Sequence, residues 1–302
     1  MNAFWEKFLD LLRRDLQYLR RHPGSVLLRG LVLLAGALTF ATLIFIVVYI
    51  LVRGVPYLTP SLFALEYNSE NLSLFPAMVT TVMMVALALL IAAPLGICTA
   101  IYLVEYASRG SKAVGIIRLT AETLSGIPSI IYGLFGALFF VTALHWSYSL
   151  AAGACTLAIM ILPLIMRTTE EALLAVPDSY REGSFGLGAG RLRTVFRVVL
   201  PSAMPGVLSG IILAIGRVVG ETAALIYTAG TVAKIPGSGG DLFLLDSGRT
   251  LAVHMYALSN EGLHTNQAYA TAVVLLAVVL LINGISSRLA NRLGAAERSS
   301  QS

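Results

Sequence analysis

Residues 123–166 read TLSGIPSIIYGLFGALFFVTALHWSYSLAAGACTLAIMILPLIM, forty-four residues without one Asp, Glu, Lys or Arg. As a single helix rising about 1.5 Å per residue this stretch would be about 66 Å long, twice the roughly 30 Å hydrocarbon core of a bilayer. It must therefore cross, turn and cross back. The one polar, aromatic interruption is His145-Trp146-Ser147-Tyr148-Ser149, and Trp and Tyr suit a membrane interface. Working outward, Gly30 to Val52 is free of charge for 23 residues and Asn71 to Val104 for 34. A fifth apolar span runs from about Gly206 to Thr228 and a sixth from about Ala268 to Ile285. The fold class is all-α integral membrane, with six transmembrane helices.

The composition agrees: 57% of residues are hydrophobic and 12% charged, against about 25% charged in soluble domains. Lys and Arg set the orientation. With both termini in the cytoplasm, seventeen basic residues fall inside, three (Arg53, Lys234, Arg249) outside, and one, Arg217, within a span. This is the positive-inside asymmetry. The formal net charge of +5 then reflects orientation in lipid and gives no reason to expect a nucleic-acid partner.

Residues 1–21 lack the continuous apolar core of a signal peptide, and 1–29 are expected to form the amino-terminal cytoplasmic segment. Trp5, Phe8, Leu9, Leu12, Leu16 and Leu19 recur at helical spacing among charges, which predicts an amphipathic helix on the cytoplasmic membrane face. The external segment 229–267 contains a flexible Pro236-Gly237-Ser238-Gly239-Gly240 turn and then an apolar stretch from Leu251 to Leu258 that suits a short helix. Cys98 and Cys155 lie within spans and read as packing residues. The four His residues show no ligand spacing, and neither a Gly-x-x-x-x-Gly-Lys-Ser/Thr loop nor a Gly-x-Ser-x-Gly elbow occurs. The chain is expected to be no enzyme, with no cofactor and no metal.

Span two contains Pro94 and Gly96, which are expected to kink or end it. Ser125-Gly126-Ile127-Pro128-Ser129 opens span three, with Ser125 a possible cap. A Pro-broken helix start with free N–H groups and hydroxyls can hold an anion. Close packing by small residues is the other reading of the same pattern. In span five, Arg217 and Glu221 stand four residues apart. On a continuous helix they share a face and can pair. A buried pair fixing helix register is one reading of them. The other is a substrate path, because intramembrane charges face bundle interiors and guanidinium offers planar donors to an oxyanion.

Between spans four and five, Glu182-Gly183-Ser184-Phe185-Gly186-Leu187-Gly188 is followed after nine residues by Val198-Val199-Leu200-Pro201. Glu182, Gly188, Leu200 and Pro201 resemble the Glu-Ala-Ala, three residues, Gly, nine residues, Ile-x-Leu-Pro loop of ABC-importer permeases. Gly183 and Ser184 stand for its alanines and Val198 for its isoleucine. The resemblance implies a coupling helix that docks on an ATPase subunit, with Pro201 ending the excursion before span five. An amphipathic loop helix without a partner is the bland alternative. Leu124 through Gly136, Arg167-Thr168-Thr169-Glu170-Glu171-Ala172-Leu173 and Gly216 through Ala223 together resemble phosphate-importer permeases of the PstA type rather than the companion PstC type. The resemblance covers about Phe75 to Leu289. It implies a type I ABC importer permease fold, with a permease domain at 75–289, a first transmembrane helix at 30–52, a coupling loop at 167–201 and a cytoplasmic tail at 290–302. The implied substrate is inorganic phosphate, or failing that another oxyanion such as molybdate, sulfate or phosphonate. Its path is lined by Arg217, Glu221, Ser125, Ser129 and Tyr132. The implied partners are a PstC-like permease, PstB-like ATPases and an extracytoplasmic PstS-like binding protein, in a bacterial inner membrane. A membrane-embedded enzyme or scaffold is the rival from another class.

Overall fold

The computed structural model describes residues 23–108, 110–237, 243–260, 262 and 264–300. The amphipathic segment expected before residue 23 and the 238–240 part of the external turn lie outside the described residues. The chain divides at Val52 and Arg53. Up to that division runs most of helix α1 (Pro23–Gly54), apolar and exposed around its whole circumference from Leu27 to Val48, as befits a span that faces lipid or another subunit.

From Arg53 onward the chain is a helical bundle. Helix α2 (Phe75–Tyr106) pairs closely with α5 (Leu150–Leu174). The small residues Ala88, Ala92, Gly96 and Ala100 recur every fourth position on α2 and all are buried. They let the backbones approach. A Cβ added at Gly96 would lie 2.9 Å from Ile165 Cγ2. Such small-residue seams are how helices associate where lipid removes the hydrophobic drive between them. The same device joins α5 to α7 (Arg191–Val219): Gly206 faces Ala172, and Gly210 lies directly against Thr168. Met84, Leu157, Met160, Ile161 and Leu225 fill the centre of this core.

The forty-four-residue apolar stretch folds back where expected. Helix α4 (Ser129–Ala143) ends before His145, Trp146 stacks on Phe140 at 5.4 Å, and the Ser149 side chain caps α5 by accepting from Ala152 N–H at 3.2 Å. Before it, α3 (Lys112–Ser125) meets α4 at a bend of 100° across Gly126-Ile127-Pro128. Ser125 is the last residue of α3, and its hydroxyl donates to the Glu122 carbonyl at 2.8 Å. It therefore closes one helix and does not cap the next. Among the described residues five helices, or six with the bent pair counted as one span, are long and apolar enough to cross a membrane.

Two helix boundaries differ from the sequence reading, at Pro201 and at the end of span five; at Pro94, expected to kink or end span two, the helix does not end. Helix α2 runs on through Pro94 to Tyr106. Pro201 does not end the excursion between spans, because α7 passes through it from Arg191 to Val219. The reason is a π turn over Val195–Val199, in which Leu200 N–H reaches the Val195 carbonyl. That widening just before Pro201 absorbs the clash between a proline ring and the preceding turn. The fifth span does not continue as one helix to Thr228. It stops at Val219, turns at Gly220, and restarts as the short helix α8 (Ala223–Thr228).

Beyond α8, α9 (Leu251–Asn260) packs beside α2 and the long α10 (Thr265–Ser300). The expected short helix is thus present. Its Leu251 N–H donates to Thr81 Oγ1 of α2 at 2.9 Å. His254 on α9 is fully buried, with Tyr67 edge-on at 6.1 Å and the Arg249 guanidinium over the same tyrosine ring at 4.5 Å. Burial and the Arg249 charge push its pKa down to about 3, while the Leu72 carbonyl, near but outside bonding geometry, acts weakly the other way. His254 is neutral at ordinary pH and belongs to the packing.

Candidate functional site

The carboxyl-terminal turns of α3, α5 and α7 enclose a cavity of about 380 Å³. Three arginines line it, one from each helix (Arg118, Arg167 and Arg217), together with the carboxylates Glu122, Glu170 and Glu171. Two of the arginines are committed. Arg118 Nε donates to Glu170 Oε1 at 2.7 Å, tying α3 to a largely buried carboxylate on α5. Arg167 Nε donates to Glu171 Oε1 at 3.2 Å, one helical turn away and largely exposed, a pair worth little to stability. Among the described residues no carboxylate comes within ion-pairing distance of Arg217. Its side chain belongs to the last turn of α7, half-buried, at the wall of this cavity.

The pairing expected between Arg217 and Glu221 is absent because they do not share a helix. Glu221 falls after the break at Gly220, is buried, and accepts a hydrogen bond from Ala224 N–H at 3.1 Å. Its carboxylate serves the first turn of α8, where the N-terminal dipole favours a negative group. The structure brings Ser125 to the same cavity as Arg217. Tyr132 is buried in α4 with its hydroxyl donating to the Leu124 carbonyl at 2.7 Å, which spans the bent joint, and it lies within electrostatic reach of Arg217. Ser129 begins α4 and is not among the residues lining the cavity. The sequence reading missed Arg118 and Glu170 as members of the site. The Arg167/Glu171 spacing of four was a visible signal, but the partner of Arg118 lies 52 positions away and leaves no local trace.

The second element is the loop segment at one end of the bundle. Helix α6 (Asp178–Gly186) presents Glu182, Tyr180 and Phe185 to solvent, and Leu187 just after it is 91% exposed. Gly188 has φ +82°, a left-handed position that closes α6 and that a Cβ resists. The Ser184 hydroxyl lies 2.8 Å from that of Thr194 and fixes the return into α7. Leu200 is half-buried against a second apolar cluster containing Val176, Val195 and Val199. A large exposed apolar tip on a firmly closed turn is what a docking surface requires.

The chain belongs to the binding-protein-dependent transport system inner membrane component family, whose model matches residues 92–295. It is 33% identical over 278 residues to the probable ABC transporter permease protein YqgI of Bacillus subtilis, covering 88% of this chain and 94% of that one. It is 34% identical over 218 residues to the phosphate transport system permease protein PstA 2 of Mycobacterium bovis, covering 72% and 71%. With PstA of Haemophilus influenzae it shares 29% over 272 residues, covering 89% and 95%. Among solved structures, a bacterial alginate ABC transporter with its pentasaccharide-bound periplasmic protein matches at TM-score 0.60 and 15% identity, covering 86% of this chain and 95% of that one. The MetNI methionine ABC transporter, in an inward-facing form, matches at 0.57 and 21%, covering 73% and 94%. The fold is that of type I ABC importer permeases. The chain is therefore a multi-pass membrane transport subunit and not an enzyme, and permeases of this kind work with an ATPase and a substrate-binding protein.

Proposed function

We propose that the chain is the PstA-like permease half of an ATP-driven importer that carries inorganic phosphate inward across the bacterial cytoplasmic membrane. The observation that carries this reading is Arg217: an intramembrane arginine, at a cavity wall, with no carboxylate partner among the described residues. Leaving a guanidinium unpaired within a bundle is costly, and a passing oxyanion is the partner it suits. Relatives named as phosphate transport permeases support phosphate over other oxyanions. Ser125 adds a hydroxyl at the same cavity, and the Arg118–Glu170 and Arg167–Glu171 pairs hold down the charge around it, so binding stays weak enough for release.

The companion would be a PstC-like permease, with PstB-like ATPases docked on α6 through Glu182, Phe185 and Leu187, and a PstS-like protein delivering phosphate on the far side. Arg181 lies within α6 and Arg191, Arg193 and Arg197 follow it, a basic cluster that supports a cytoplasmic position for that end by the positive-inside rule. The test is uptake of radiolabelled phosphate into proteoliposomes holding the whole complex. Unlabelled phosphate should compete, and sulfate, molybdate and methylphosphonate in equal amounts should not. Equal competition by any of the three would contradict a path selective for phosphate.

A further inference from the structure

The α6 helix can move the bundle only if something stiff joins them, and the joint is visible. Arg181, on the buried side of α6, makes five hydrogen bonds. Its Nε and Nη2 both reach Glu105 Oε1, at 3.1 and 2.7 Å. Nη2 also donates to the Leu173 carbonyl at 3.0 Å, and Nη1 to the Val176 carbonyl at 2.8 Å and to Asp178 Oδ1 at 3.2 Å. The side chains of Arg181 and Glu105 are 14% and 8% exposed. Arg118 and Arg167 hold their carboxylates with far more of the guanidinium in solvent.

Those bonds join three pieces of chain. Glu105 stands in the π turn Tyr102–Tyr106 that ends α2, and such a turn re-aims the side chains that follow it. Leu173 lies in the last turn of α5 and Val176 just beyond it; the Leu173 carbonyl, which also accepts from Val176 N–H at 3.3 Å, is at the helix end where carbonyls have room for a further donor. Asp178 opens α6. Around the joint, Ala100, Ile101 and Leu103 of α2 pack with Met166 and Leu173 of α5 and with Val195 and Val199 of α7. The apolar cluster supplies contact without direction. A planar guanidinium with all its donors engaged fixes orientation as well.

We infer that Arg181 is a positioning residue for transport: it clamps the ATPase-docking helix to the cytoplasmic ends of α2 and α5, so that a displacement of α6 turns both as one body. This rests on the reading of α6 as the docking helix. Arg181 does not line the cavity at Arg217, and none of its five hydrogen bonds goes to Glu182, Phe185 or Leu187. Its loss leaves both surfaces present and breaks the mechanical link between them.

The experiment measures phosphate transported per ATP hydrolysed in the reconstituted complex, a ratio that does not depend on how much protein is inserted. Glu105→Gln keeps the shape and one acceptor while removing the charge. Arg181→Lys keeps the charge and loses the fork. Both variants are expected to retain the ATPase subunit on purification and to hydrolyse ATP, with phosphate per ATP falling about tenfold, the size of a coupling energy between interacting residues. Lys is expected to retain more of the ratio than Arg181→Gln. An unchanged ratio in both Glu105→Gln and Arg181→Lys would overturn the inference, whatever happens to abundance or thermal stability. Failure of the parent chain to retain the ATPase would instead strike the docking reading on which it rests.

Discussion

Arg217→Gln is expected to insert and accumulate like the parent chain and to lose most phosphate uptake. Insertion is spared because the substitution removes a charge whose placement within a span costs about 2.5–3.5 kcal/mol on the insertion scale. It leaves no buried carboxylate stranded, since among the described residues none pairs with Arg217. Transport is not spared. A hydrogen bond to a charged group contributes about 1.5–3 kcal/mol, so uptake should fall roughly tenfold to a hundredfold. Arg217→Lys keeps the charge without the planar fork and should lie between the two. Exchanging the pair, Arg217→Glu with Glu221→Arg, should not restore activity. Glu221 caps α8 through Ala224 N–H, and a cationic side chain there faces the wrong end of a helix dipole. Labelled-phosphate uptake at matched membrane abundance decides it, and parental uptake by Arg217→Gln would make Arg217 a structural residue.

A second large effect is expected at α6. Glu182 is exposed and among the described residues forms no ion pair within the chain, so Glu182→Lys should not disturb folding. It reverses a charge on the face offered to the ATPase, and like-charge juxtaposition across an interface costs several kcal/mol. The ATPase should be lost on purification and uptake should fall with it. Gly188→Val should do the same by another route. A β-branched residue at φ +82° costs about 1–2 kcal/mol or more and reopens the turn that sets the docking tip. Normal retention of the ATPase together with normal uptake in Glu182→Lys would remove α6 from its docking role.

The spans were legible because lipid tolerates so few charges: stretches of 23, 34 and 44 uncharged residues leave little choice of architecture, and the polar, aromatic run from His145 to Ser149 marked the turn within the longest of them. What was not legible depends on helix ends and on distant partners. Nothing local distinguishes a Gly220 that interrupts α7 from a glycine that merely packs, so Arg217 and Glu221 looked like neighbours on one face. Pro201 looked like a stop because the π turn that accommodates it is a property of the bundle rather than of the motif. The pairs Arg118–Glu170 and Arg181–Glu105 link residues 52 and 76 positions apart, and only the packing of α3 on α5 and of α6 on α2 brings them together. The coupling motif drew attention to Glu182, while the residue beside it carries the buried bonds.

The central claim is that phosphate at the far side and ATP at the near side are linked through this chain. It is tested most directly by the ATPase activity of the complete reconstituted complex, with the binding protein present, as phosphate, sulfate, molybdate and methylphosphonate are supplied in turn. Stimulation by phosphate alone, abolished by Glu182→Lys, is the predicted result. Stimulation by another of these oxyanions and not by phosphate, or phosphate stimulation that survives in Glu182→Lys, would contradict it.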